Sequence, residues 1–79
     1  MFFYTYVLKS LKDDKLYVGW TSDLNGRLKM HNNGEVDSTR HRLPLDLIYF
    51  EACKSRGAAI AREKQLKTGF GRMYLKKRV

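Results

Sequence analysis

The spacing of apolar residues changes character several times along the chain, and each change marks an element. Residues 2–9, FFYTYVLK, are aromatic and β-branched with apolar side chains on both faces, which predicts a strand covered on two sides. The polar residues 12–14, KDD, read as a turn and residues 15–20, KLYVGW, as a second strand, so the pair forms a hairpin. The period then lengthens. Leu24, Leu28 and His31 recur at i, i+4 and i+7, Asp23 lies in the first turn, and Asn33-Gly34 supplies a stop, which predicts a helix over 22–33. Gly26 inside that helix costs about 1 kcal/mol relative to alanine.

Residues 35–45, EVDSTRHRLPL, show no clear period and contain the only proline, so they read as a loop. A third strand is expected over 46–52, DLIYFEA, again apolar on both faces. Ser55 is placed to cap a second helix running through Lys67, which Thr68-Gly69 ends, and a short basic helix occupies residues 70–78. No repeat, linker or low-complexity segment interrupts this order. The expected fold is α/β (α+β): a small, mainly antiparallel three-stranded sheet with helices on both sides, forming one domain over residues 1–79. A chain of this size buries roughly 60–65% of its unfolded surface, enough for one core.

Composition changes the picture in one respect, charge. Sixteen Lys and Arg against eight Asp and Glu give +8, and the stretch from Lys64 to Val79 holds six basic side chains and no acidic one. Such a field favours polyanions, nucleic acid before an anionic membrane surface. Arg40 and Arg42 in the loop, with Lys67, Arg72, Lys76, Lys77 and Arg78 toward the end, are the candidate nucleic-acid contacts. No amphipathic lipid-facing stretch is present, so no membrane partner is expected. The lone Cys53 excludes a disulfide framework or a cysteine zinc cluster, and a reduced, cytoplasmic setting is expected. MFFYTYVLKS reads as a strand and not as a signal peptide.

Four kinds of side chain can carry chemistry. Glu63 lies four residues after Ala59 and three from both Ile60 and Leu66, which points a carboxylate toward the core side of the second helix. Burial there is costly unless the group is paired or binds a cation. The plain alternative is a salt bridge to Arg27 or escape at the rim. Arg27 and His31 share one helix face by their i, i+4 spacing, suited to phosphate contact and proton transfer, though either alone is more often structural. Tyr6 and Tyr17 fall in neighbouring strands and meet across the hairpin. A phenol of pKa about 10 is a poor base unless cations or a metal lower it. Trp20, Tyr49 and Phe50 read as core or edge residues.

The set Tyr4-Thr5-Tyr6, Tyr17-Val18-Gly19, Arg27, His31 and Glu63, in that order, resembles the GIY-YIG nuclease superfamily. It is most similar to the small single-domain members that are likened to the nuclease domain of the excision-repair protein UvrC. The resemblance covers essentially the whole chain. It implies an endonuclease that hydrolyses phosphodiester bonds in DNA with Mg²⁺ or Mn²⁺, with little sequence specificity, in repair or processing. Glu63 would be the metal ligand, Tyr6 or Tyr17 the base for an attacking water, Arg27 the phosphate cation, and His31 an assisting group. Structured or single-stranded DNA would be the partner, with targeting by another protein or a homodimer. A binding module of the same fold with little catalysis is the alternative. Three departures stand out: the first motif lacks its glycine and isoleucine, Lys77 falls where many relatives carry asparagine, and Gly26 precedes the arginine where a basic residue is common.

Overall fold

A computed structural model describes residues 1–78; Val79, the last residue of the expected domain, lies outside it. The elements in chain order are β1 (Phe3–Ser10), β2 (Leu16–Thr21), α1 (Leu24–Asn32), a 3₁₀ turn (Arg40–Arg42), β3 (Leu45–Cys53), α2 (Arg56–Leu66) and α3 (Gly69–Lys76). The sheet runs β2-β1-β3 and both pairings are antiparallel. β1 takes the centre and is covered on both faces: Tyr6, Val7 and Leu8 are all buried. β3 was expected to be covered likewise, but it is an edge strand with Asp46, Phe50 and Ala52 exposed. Its register slips between Val7 and Leu8, which oppose Tyr49 and Leu47, so Ile48 is an extra residue that bends the edge.

Each sheet face has its own core. On one, Tyr6, Leu8 and Leu45 pack with Leu24 and Leu28 of α1. On the other, Val7 and Val18 pack with Leu66 of α2 and Leu75 of α3. Thr5 on that second face donates its hydroxyl to the Ala59 carbonyl at 2.9 Å, which fixes α2 against β1.

Local chemistry sets the ends. Asp23, expected within the first turn of α1, is its N-cap and accepts from the Gly26 amide at 3.1 Å. A Cβ at Gly26 would collide with that carboxylate, so the helix glycine serves the cap. Gly34 closes α1 at φ +76°. Ser55 caps α2 as expected, whereas Thr68, expected to end α2, caps α3 by accepting from the Gly71 amide. The stretch 35–45 is not a plain loop. It contains the 3₁₀ turn, and its backbone is tied down by Ser10, which donates to the Arg42 carbonyl at 2.7 Å, and by Asn32, which accepts from the Leu45 amide.

Candidate active site

The site begins with a vacancy of side chain. Tyr6 in the central strand stands opposite Gly19 in β2, and a Cβ built on Gly19 would lie 2.5 Å from the Tyr6 Oη. The phenol therefore lies across the β2 backbone, over ground that any other residue would occupy. From there its hydroxyl meets His31 Nε2 at 2.9 Å. His31 is fully buried, and its Nδ1 lies 2.8 Å from Thr39 Oγ1. Thr39 in turn donates to the Val36 carbonyl, at 3.5 Å, which leaves a lone pair facing the ring. On this pattern we assign the imidazole proton to Nδ1, so that Nε2 accepts the Tyr6 proton.

Tyr17 and Arg27 complete the cluster. The Tyr17 ring sits 5.1 Å from His31 and 6.4 Å from Tyr6, centroid to centroid. The Arg27 guanidinium lies against both phenols, Tyr6 above all, which holds its pKa above the ordinary arginine value. Its Nε is buried and has no hydrogen-bond partner among the described residues. A guanidinium donor left over in a buried place is an invitation to an anion.

The titrations follow from this packing. Burial pushes the Tyr6 phenol up and outweighs the opposing pull of Arg27; the nearby Tyr17 and Glu63 raise it further. Tyr6 is thus a neutral hydroxyl at neutral pH. Burial, with the Arg27 charge second, holds His31 below the usual imidazole range, so the ring is neutral there and able to accept a proton. A neutral phenol bonded to a neutral imidazole is a relay: as the phenol takes a proton from water, it can pass its own to Nε2.

Glu63 projects from α2 with 18% of its side chain exposed and pairs with Lys67, one turn on, at 3.3 Å. The ion pair with Arg27 offered as the plain alternative does not occur among the described residues. No group of three acidic, histidine or cysteine side chains gathers among the described residues. Mg²⁺ accepts a single-carboxylate site, since it keeps several waters and needs one or two protein carboxylates. The residues fit: Glu63 would hold the ion, displacing the Lys67 ammonium.

The basic residues divide. Tyr17, Lys67 and Arg72 line a shallow groove of about 220 Å³ that also touches Leu16 and Leu66. Leu16 and Arg72 lead on into a groove of about 670 Å³ with Lys9, Lys76 and Arg78, and Arg42 and Lys15 share a depression with the same Arg72. Lys67, Arg72, Lys76, Arg78 and Arg42 thereby form a mainly basic track leading from Tyr17, interrupted by Asp14 and Asp46 on the wall of the larger groove, where Asp14 pairs with Lys9. Arg42 is also held by Asp13 at 3.4 Å, and Arg78 lies over the Tyr74 ring. Arg40, paired with Asp37, stands apart from the track, whereas Lys77 adjoins its Arg78 end in a small groove with Phe70 and Met73. Sequence reasoning missed Thr39, Lys9 and Lys15. Thr39 sits in a stretch without period, and nothing local announces a contact eight residues back.

Residues 2–77 match the family model of the GIY-YIG catalytic domain. A UPF0213 protein of Clostridium perfringens is 46% identical over 65 residues, 81% of this chain and 69% of that protein. Another, of Haloquadratum walsbyi, is 39% identical over 66 residues, 82% of this chain and 73% of its own. The solution NMR structure of a UPF0213 protein from Bacillus halodurans superposes with a TM-score of 0.59 at 31% identity, covering 98% of this chain and 84% of that one.

Proposed function

The chain belongs to the GIY-YIG catalytic domain family, a nuclease-type family, and from that premise we propose that it is a divalent-metal-dependent endonuclease acting on DNA. The observation that carries the reading is the Tyr6–His31 hydrogen bond at 2.9 Å beside an Arg27 whose buried Nε is unpartnered. A phosphodiester offers the oxygens that the guanidinium lacks, and a solvent water drawn up to its phosphorus can be deprotonated by the phenol as His31 takes the phenol's proton.

Arg27 orients the phosphate and stabilises the charge that develops on it. Tyr6 removes the proton from the attacking water and passes its own to Nε2 of His31, held in one tautomer by Thr39. The new P–O bond forms as the bond to the leaving sugar oxygen breaks, that oxygen takes a proton from solvent, and the proton on Nε2 returns through Tyr6 when the product leaves. Tyr17 packs against His31 and approaches Arg27, which places it as a positioning residue. Mg²⁺ or Mn²⁺ on Glu63 would supply a Lewis acid at the phosphate. The track through Lys67 and Arg72 supplies backbone contacts without base readout, consistent with low sequence specificity. Targeting then comes from a protein partner or a second copy, and a role in DNA repair or processing fits that economy. A weakly catalytic binding module is favoured by one observation, the capture of Glu63 by Lys67.

Labelled single-stranded, duplex, flap and branched DNA, and RNA, are incubated with Mg²⁺, Mn²⁺ or EDTA, using the wild type beside Glu63→Ala and Arg27→Ala. Metal-dependent cleavage that both substitutions abolish is expected. Salt-sensitive binding without cleavage under any condition would replace the nuclease by the binding module.

A further inference from the structure

One sheet face continues past the site, and none of the described residues covers it. Tyr4 and Phe50 lie on the same face as Tyr6: Tyr4 is one pleat earlier on β1, and Phe50 is the cross-strand partner of Tyr6 itself. The two rings meet edge to face at 6.2 Å and 60°. Phe50 is 50% exposed, and Ala52, opposite Tyr4, is exposed as well. The core on this face stops at Tyr6, Leu8 and Leu45, so α1 leaves the aromatic pair open. In the first motif, Tyr4 also puts a ring where the motif's name has glycine.

A half-exposed aromatic pair needs an occupant. Self-association through this face is disfavoured, because each copy would bring +8 to the contact. The same charge concentrates a polyanion, and the polyanion already assigned to the neighbouring Tyr6–Arg27 cluster carries flat π surfaces of its own. Phe50 is the cross-strand neighbour of Tyr6 on the same face, so a nucleic-acid strand held at the Tyr6–Arg27 cluster has the exposed Phe50 ring within reach of its flanking nucleotides. Bases inside a duplex have both faces occupied and cannot reach such a platform. An unpaired base can, and base–aromatic stacking is tolerant of base identity.

We propose that Tyr4 and Phe50 form a stacking platform for an unpaired nucleobase beside the scissile phosphate, so that the site selects single-stranded, flap or frayed nucleic acid over intact duplex. This rests on the nuclease reading above and narrows its substrate.

The test is binding in EDTA, where nothing is cleaved, measured by fluorescence anisotropy with three probes: a single-stranded oligonucleotide, the same length of abasic backbone, and a blunt duplex. The wild type should bind the single strand roughly tenfold more tightly than the abasic backbone. Phe50→Ala and Phe50→Leu should bring the single strand down to the abasic level, and Phe50→Trp should keep the difference. Melting by circular dichroism identifies any variant that fails to fold, and the leucine variant keeps the apolar bulk. Removing the ring and removing the bases should cost the same and not add. Equal wild-type affinity for the single strand and the abasic backbone overturns the platform while leaving the nuclease reading, which rests on metal-dependent cleavage and its loss in Glu63→Ala. A dimer in sedimentation that Phe50→Ala dissociates overturns it in favour of self-association. Absence of binding to every probe, with no cleavage in Mg²⁺, overturns both.

Discussion

Two tyrosine–arginine clusters lie on opposite faces of the same sheet, and they differ in whether their polar groups are satisfied. On the α2–α3 side, Arg62 Nε donates to both oxygens of Glu51 at 3.0 and 3.1 Å, its Nη1 donates to Gln65, and its guanidinium stacks 4.5 Å over Tyr74. Tyr49 donates to the same Glu51 at 2.6 Å and touches the Tyr74 hydroxyl. That cluster clamps β3 to two helices. On the α1 side, Arg27 has no carboxylate partner among the described residues, and the Glu63 that influences Tyr6 is paired with Lys67 instead. The same residue types make a brace where every charge is answered and a site where one is left open.

The contrast is broken most sharply by removing the groups that act on substrate. Tyr6→Phe should cut cleavage on the order of 10²- to 10⁴-fold, with a stability loss of about 1 kcal/mol for the buried hydrogen bond to His31. Turnover and thermal melting on the same preparation check both halves; a rate loss no greater than the folded fraction explains would remove Tyr6 from the chemistry. Arg62→Met on the other face should do the reverse. It leaves Glu51 partly buried without its partner and costs roughly 1–3 kcal/mol, several degrees of melting temperature in a domain this small, while the rate per folded molecule stays at the wild-type value.

Gly19→Ala joins the two kinds of effect. The new methyl group displaces the phenol of Tyr6, so about 1–3 kcal/mol of overpacking should accompany a drop in turnover that Gly19→Ala combined with Tyr6→Phe no longer deepens. Cleavage assays on the single and double variants decide it.

The smallest effect is in acid. His31 is held below the ordinary imidazole value in the folded chain, so as pH falls through about 6.5 the unfolded chain takes up the proton first. The stability that neutral His31 contributes is complete above that pH and is lost as pH falls toward its folded pKa, by at most about 1.4 kcal/mol per pH unit. Melting between pH 7 and 5 should show this slope in the wild type and lose it in His31→Asn; Arg62→Met should leave the slope in place.

Much of the fold was legible because local pattern and tertiary role coincide. The two-sided apolar run of residues 2–9 did become the central strand, Phe3–Ser10, and Asp23, Ser55 and Asn33-Gly34 mark helix ends with their own side chains or φ. Thr68 was misread because one threonine between two helices serves either as a stop or as a cap, and only the following helix decides. β3 misled for a related reason: IYF looks covered on two sides, yet an exposed aromatic face resembles a buried one in sequence. Of the site, Tyr6, Tyr17, Arg27 and His31 come together, as motif order suggested. Thr39 was invisible, since its partner is fixed by how residues 35–45 fold back and not by spacing. The Glu63–Lys67 pair, by contrast, is local i, i+4 chemistry that was there to be read.

The crossing of the Tyr6 phenol over Gly19 has a consequence for how such sequences change over time. The glycine has ordinary negative φ here and is not demanded by a turn; it is demanded by a side chain thirteen residues earlier. The two positions are one inherited unit. A lineage that shortens the side chain at the Tyr6 position frees the Gly19 position to drift, while one that keeps the tyrosine keeps the glycine, whatever happens to the residues between them.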